Sequence, residues 1–315
     1  MLACPILRSL EKAGEGVPLD YVERVNRAID HVLENLASPL KLEDVARAAC
    51  FSPFHFHRIF RSLIGETLSQ FVKRQRLERA LYQMSHSPSR SLTDIALDCG
   101  FASSSHFSRS FKERFGLPPS AFDVQTFRNE RRQEFEATMA SFEGGPSLPR
   151  LPDGENPDGF EVEIRDLPPR TVAYIRTLDP YRPDAVTGAY ERLMAWADAR
   201  GVAGGAWLGY MWEDPELVAL KDCRYDAAVV VDDVQPEGEV GRFDFPAMRV
   251  AEVRLDGDIA LEQRAIDWVF RTWLPRSGFE PDELPCFEAW AGRPFAHGLE
   301  RFELAMHLPV RTPRA

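Results

Sequence analysis

Long hydrophobic runs are missing from this 315-residue sequence. No stretch approaches twenty consecutive apolar residues, so a membrane-spanning helix is not expected. Cysteine is scarce as well: five residues, an odd count with no Cys-x-x-Cys pair, which fits free thiols in a reducing compartment. Met1 to Leu10 lack the charged, apolar and small-residue succession of a secretion signal. These absences lead us to expect a cytoplasmic protein with no membrane partner. Also absent are a Gly-rich phosphate loop and a nucleophile elbow. His55 and His57 stand two apart on an expected helix and face different sides, which makes a poor metal pair. No cofactor and no metal is expected.

What is present is the composition of an ordinary soluble protein, 44% hydrophobic and 28% charged, long enough for two domains. The net charge of −11 argues against DNA binding until it is divided along the chain. Residues 41–128 hold thirteen Lys/Arg against eight Asp/Glu, whereas 151–315 hold eighteen against thirty-one. Phosphate neutralisation is local, so the basic stretch can bind DNA while the acidic one serves another partner.

The basic stretch repeats itself. Leu42, Asp44, Val45, Ala46 and Phe51 return as Leu92, Asp94, Ile95, Ala96 and Phe101. With one residue inserted, Phe56, Arg58, Phe60, Gly65, Ser69 and Phe71 return as Phe107, Arg109, Phe111, Gly116, Ser120 and Phe122. Each copy reads as a short amphipathic helix, a tight turn and a second helix, with Ser52-Pro53 opening the second helix of copy one. Helix, short turn, helix is the plan whose second helix enters the DNA major groove. Away from their apolar stripes these second helices display Phe54, His57, Arg58 and Arg61, then Ser104, Ser105, Ser108, Arg109 and Lys112. Arginine among small polar neighbours can bond base edges and phosphates; a pair of plain solvated faces is the alternative.

The pattern Gly100-Phe101, Phe107-Ser108-Arg109, Phe111-Lys112, Phe115-Gly116, Pro119 resembles the tandem helix-turn-helix domain of AraC/XylS transcription regulators. The resemblance covers about a hundred residues and implies two recognition helices in successive major grooves of double-stranded DNA. Residues 67–84 would be the rigid connecting helix, and RNA polymerase a further partner. Position by position it implies Pro53, Phe54, His57, Arg58, Ser104, Ser105 and Arg109 as base-facing. Arg61 and Lys112 join them from the reading of the helix faces. Two positions depart from the pattern: Cys50 replaces the turn glycine of copy one, and Asp123 stands where arginine is frequent.

The order along the chain follows. Residues 19–37 predict a scaffold helix, 19–125 the all-α DNA-binding domain, and 126–159 a connecting segment that becomes Gly/Pro-rich from 141. From Phe160 short strands alternate with two helices. Strands are expected at 160–166, 171–178, 206–212, 225–232, 248–255, 286–291 and 301–308, with helices at 183–200 and 259–273. This is a duplicated strand-helix-strand-strand unit, an α+β domain over 160–310 with an antiparallel sheet and a central cleft. Leu208-Gly209, Trp212-Glu213-Asp214-Pro215, Arg224-Tyr225-Asp226, Trp273-Leu274-Pro275 and Pro285-Cys286-Phe287-Glu288 resemble the GyrI-like effector-binding domain. That resemblance implies a multidrug-type sensor of bulky, often cationic or amphipathic small molecules. It also implies an aromatic cleft with a buried glutamate, here Glu288, beside Trp290.

On their strands Glu288 and Trp290 point one way, as do Tyr210 and Trp212. A carboxylate beside aromatic faces suits a lipophilic cation, so the ligand-binding candidates are Tyr210, Trp212, Trp273, Glu288 and Trp290. The bland alternative makes the aromatics plain core and pairs Glu288 with Arg301. Cys286 lacks the neighbours that activate a thiol. The reading is a non-enzymatic, sequence-specific transcription regulator with a small-molecule sensor. A GyrI-like hydrolase using Glu288 as base, or a protein that sequesters a toxin, is the alternative.

Overall fold

Capping residues in front of apolar-periodic runs divide the first part of the chain into helices. The computed structural model describes residues 19–87, 89–141, 148 and 150–312. Met1 to Leu10, and residues 142–147 and 149 of the Gly/Pro-rich stretch, lie outside the described residues. The first helix, α1 (Leu19–Glu34), is shorter than the expected 19–37. Asn35 ends it by donating its side-chain N–H back to the His31 carbonyl at 2.8 Å. Then come α2 (Leu42–Ala48), α3 (Pro53–Ile64), α4 (Leu68–His86), α5 (Leu92–Asp98) and α6 (Ser104–Phe115). Ser52, Ser91 and Ser103 accept a backbone N–H at the starts of α3, α5 and α6. Thr67 and Gln70 form a reciprocal capping box at α4. Left-handed Gly65 and Gly116 end α3 and α6.

The two copies are alike but not equivalent. In copy two the turn residue Gly100 has φ 82°, and a Cβ there would lie 2.6 Å from the Leu36 carbonyl oxygen. In copy one Cys50 takes the same left-handed conformation at φ 52°. Arg24 compensates locally, donating to the Ala49 carbonyl at 2.9 Å and to that of Cys50, with its guanidinium 3.4 Å from the Phe51 ring centre. Val25, Ile29, Val32, Val45, Phe56, Phe60 and Phe71 share one core. Phe107, Phe111, Phe115, Phe122 and Phe127 form a chain of edge and tilted ring contacts in the other copy.

The chain divides into two compact units: one reaches Asn129 and includes Pro236–Gly241, and the other holds Glu130–Gln235 and Arg242 onward. Helix α7 (Val124–Ala140) runs through the first boundary. The expected connecting segment is therefore not a plain linker. Arg132, Phe135 and Met139 are buried in the second unit, where the Arg132 guanidinium meets Glu136 (2.6 Å), Asp267 (3.2 Å) and the Leu148 carbonyl (2.9 Å).

The second unit is built on β1 (Glu163–Leu167), β2 (Arg170–Leu178), α8 (Ala185–Arg200), β3 (Trp207–Met211) and β4 (Arg224–Val231). Next come β5 (Gly241–Phe245), β6 (Met248–Gly257) and α9 (Ile259–Trp268), which passes through a π turn into α10 (Leu274–Ser277). The last strands are β7 (Glu280–Pro281), β8 (Cys286–Trp290) and β9 (Phe302–Arg311). Among the described residues these strands form one sheet in the order β1-β6-β9-β8-β3-β4-β2-β5, with β7 on β9. The duplicated units β2-α8-β3-β4 and β6-α9-β8-β9 meet where β8 pairs β3. β5 and β7 were not foreseen. The edge strands are exchanged: β1 precedes one half but pairs with β6 of the other, and β5 does the converse with β2. No helix among the described residues is long and apolar enough to cross a membrane.

Candidate functional site

Two surfaces carry the chemistry, one in each unit. On α3, Phe56, Phe60 and Leu63 turn inward, which leaves Pro53, Phe54, His57, Arg58 and Arg61 exposed. On α6, Phe107, Ser110 and Phe111 turn inward; Ser105, Arg109 and Lys112 are exposed and Ser104 is half-buried. Phe54 is 69% exposed, with the Arg58 guanidinium 5.9 Å from its ring. A large apolar ring held out in water is the unusual feature here.

The charges sort by location. Scaffold charges are paired within the unit: Arg74 with Glu66 (2.6 Å) and Glu78 (3.2 Å), Lys73 with Glu113 (2.5 Å), and Arg90 with Asp98. Among the described residues, no carboxylate pairs with Arg58, Arg61, Arg109 or Lys112. Cations left unpaired on two equivalent helix faces are available to phosphate and base edges.

In the second unit, register decides what meets what. Gly209 pairs with Glu288 and Tyr210 with Phe287. Tyr210 and Trp212 therefore lie on the sheet face opposite Glu288 and Trp290, and the expected five-residue cleft is not assembled. Tyr210 is 1% exposed and stacks on Phe245 at 4.2 Å. Trp212 donates its indole N–H to Asp226 at 2.7 Å, and that carboxylate is held by Arg176 through two bonds of 2.8 and 2.7 Å. The Arg176 and Arg224 guanidiniums each lie 5.4 Å from the Trp212 ring, so the protein's own cations cover it. Trp273, in the π turn, lies parallel to Phe279 with ring centres 6.2 Å apart.

Around Glu288 the structure gathers residues that the sequence reading missed. Glu288 accepts the Tyr225 hydroxyl at 2.8 Å. Tyr190, from α8, lies 3.0 Å from the Tyr225 oxygen, donates to the Leu208 carbonyl (2.8 Å) and accepts the Trp290 indole N–H (3.1 Å). Glu262, from α9, is side-chain hydrogen-bonded to Glu288. Gly209 makes room: a Cβ there would lie 1.8 Å from the Tyr225 hydroxyl. The loop after β8 covers the group, with Phe295 (φ 55°) against Trp290 at 4.8 Å and Tyr190 at 5.6 Å. Arg301, the alternative partner considered for Glu288, pairs with Asp256 at 2.6 Å instead.

Burial pushes the Glu288 carboxyl up to about 7, against the lowering pull of hydrogen bonds from Tyr225, Glu262 and Trp290. Burial, and then the neighbouring Glu288, raise Glu262 well above the usual carboxyl range. Burial likewise pushes the Cys286 thiol up to about 12, so it stays protonated and unreactive. Among the described residues no group of three His, Cys, Asp or Glu side chains is placed to hold a metal. The missed residues left faint signals. Tyr190 sits in the apolar stripe of α8, and Glu262 interrupts an apolar helix face between Leu261 and Ala265.

Comparison with known proteins gives these two surfaces their class. A helix-turn-helix domain model matches residues 45–125, and a model of the GyrI-like small molecule binding domain matches residues 160–311. The chain thus joins a helix-turn-helix domain to a GyrI-like small-molecule-binding domain. It is 32% identical over 144 residues to the uncharacterized HTH-type transcriptional regulator YbfP of Bacillus subtilis (strain 168), covering 46% of this chain and 47% of YbfP. It is 33% identical over 124 residues to the HTH-type transcriptional regulator ArgR of Pseudomonas aeruginosa, covering 39% and 36%. The chain thus spans less than half the length of each of these relatives. The DNA-binding domain of AdpA, solved in complex with a target DNA, is 28% identical over 35% of this chain and 98% of that one, with a TM-score of 0.31. The named relatives are regulators, not enzymes.

Proposed function

We propose that this protein is a transcription regulator that reads double-stranded DNA through α3 and α6 and senses a cationic or amphipathic aromatic molecule at Glu288. The observation that carries the DNA half is the contrast in charge pairing. The scaffold residues Arg74 and Arg90 are paired with carboxylates, while among the described residues Arg58, Arg61, Arg109 and Lys112 are not. In this reading Arg58 and Arg109 contact base edges, with Pro53, Phe54, His57, Ser104 and Ser105 beside them. Arg61 and Lys112 contact phosphates. RNA polymerase is the further partner through which such a regulator acts.

Two features support the sensing half: a buried carboxyl that, among the described residues, has no cation partner, and the tyrosine and tryptophan rings around it. A cationic guest supplies the missing counter-charge. The set Tyr190, Tyr225, Glu288 and Trp290 replaces the one that included Tyr210 and Trp212.

Selection of bound sequences from random DNA by the purified protein supplies the operator for the test. Arg58→Ala and Arg109→Ala should each weaken specific binding by about 1–3 kcal/mol. Lys112→Ala should weaken all sequences alike and lower the salt slope by about 1. An unchanged ratio of specific to nonspecific affinity in all three variants would remove α3 and α6 from the grooves.

A further inference from the structure

Glu262 lies outside every motif singled out in the sequence, yet it is the second acid beside Glu288. It is 6% exposed, and Glu288 is 7% exposed. Two carboxyl groups in hydrogen-bonding contact cannot both be ionised without a cation between them, and burial holds a proton on each of them below about pH 7. No Lys, Arg or His among the described residues pairs with either acid.

The donors around the pair are already committed. Tyr225, from β4, gives its O–H to Glu288; Tyr190, from α8, gives its O–H to the Leu208 carbonyl; Trp290, from β8, points its N–H at Tyr190. The strands on which α9 packs present Val253, Leu255, Leu304 and Met306, all apolar, and the covering loop contributes Phe295. Glu262 Oε1 is buried and, among the described residues, has no hydrogen-bond donor. A buried acceptor left in this state is destabilising, and a guest that brings a donor relieves it.

Resting on the reading of this cleft as a cation site, we propose that Glu262 and Glu288 form a clamp for an ammonium group that carries N–H bonds. The guest is a protonated primary or secondary amine attached to an aromatic body. One N–H donates to Glu262 Oε1 and another to Glu288. The ionising carboxyl loses its proton to the buffer as the ammonium enters, so charge balances within the site. The raised affinity of both acids for protons agrees with such an exchange. A quaternary ammonium neutralises Glu288 equally well but has no N–H, and it leaves Glu262 Oε1 without a donor. Glu262 therefore determines which class of cation is preferred, while Glu288 determines that a cation is preferred at all.

The test uses the full chain and three probes of nearly one shape: (naphthalen-1-ylmethyl)ammonium, its N,N,N-trimethyl analogue, and neutral 1-ethylnaphthalene, followed by tryptophan fluorescence. The primary ammonium should bind roughly tenfold or more tightly than the quaternary one, the worth of one charge-assisted hydrogen bond. In Glu262→Leu that ratio should fall to about one, because no acceptor remains at that position. Calorimetry of the unaltered protein near pH 6, in two buffers of different ionisation enthalpy, should register release of a proton with the primary ammonium. It should register none with the neutral probe. This second measurement holds even where the variant fails to fold. A quaternary ion that binds as tightly as the primary one, or a ratio untouched by Glu262→Leu, would overturn the clamp and leave the cation site standing. Neither ammonium binding better than 1-ethylnaphthalene would instead overturn the cation site itself.

Discussion

At the scale of single residues, Glu288 sits in surroundings far from those of water. Its partners are the Tyr225 hydroxyl and another acid, so ionisation is disfavoured until a cation arrives. Glu288→Gln keeps the shape and removes the charge. It should weaken a lipophilic cation by about 1–3 kcal/mol and leave a neutral isostere unaffected, as read by tryptophan fluorescence. Equal losses for both probes would mean that the carboxyl does not sense charge. The same residue sets a pH dependence of stability. Folding raises its carboxyl from the usual 4.5 to about 7, so the folded state binds the proton more tightly than the unfolded chain. Its stabilising contribution is therefore full below the unfolded value and is lost as the pH rises through about 7. The melting temperature of the unliganded protein should fall between about pH 5 and about pH 8, and Glu288→Gln should flatten that fall. A fall of the same size in the variant would assign it to other groups.

At the scale of elements, the two helix-turn-helix copies give a controlled comparison of one turn. Both turn residues are left-handed, but only the Gly100 turn is crowded from outside, by the Leu36 carbonyl and Arg76. Gly100→Ala should therefore cost more than the roughly 1 kcal/mol that the left-handed conformation alone demands. Cys50→Gly should stabilise the fold by up to about 1 kcal/mol, offset in part by the greater freedom of glycine in the unfolded chain. Urea unfolding of the two variants measures both. A Gly100→Ala protein as stable as its parent would mean that the turn can relax away from α1. In the second unit the corresponding element-scale feature is the loop carrying Phe295, a non-glycine residue at φ 55° against Trp290. Left-handed strain of this kind clusters at ligand clamps and switch regions.

At the scale of the whole molecule, α7 decides where the chain can be divided. Its first residues belong to one unit, while Arg132, Phe135 and Met139 are buried in the other. A fragment ending at Asn129 should fold with its full helical content and bind DNA, since its core residues all precede that point. A fragment ending at Ala140 should bind as well, but it exposes Phe135 and Met139, normally 1% and 7% exposed, and should self-associate more readily. Circular dichroism and sedimentation distinguish the two. An unfolded fragment ending at Asn129 would show that the first core depends on the second unit. The charge division, basic in the first domain and acidic in the second, makes the DNA affinity of that fragment salt-dependent through its own cations.

The sequence by itself determined the tandem helices. Caps such as Ser52 and Ser103, the stripes of Phe56, Phe60, Phe107 and Phe111, and the glycines after α3 and α6 act within one or two turns of chain. The repeat made those local signals unambiguous, and the exposed faces of α3 and α6 followed from the 3.6-residue period. It also determined the duplicated strand-helix-strand-strand order. What only the tertiary structure decided is which side chains meet. Side chains alternate along a strand with period two, so a register shifted by one residue turns every side chain to the other face. The pairing of Gly209 rather than Tyr210 with Glu288 is such a choice, and it sent Tyr210 and Trp212 into the opposite core. Glu262, Tyr190 and Tyr225 reach Glu288 from three elements far apart in the chain, and no spacing within any one of them records that convergence.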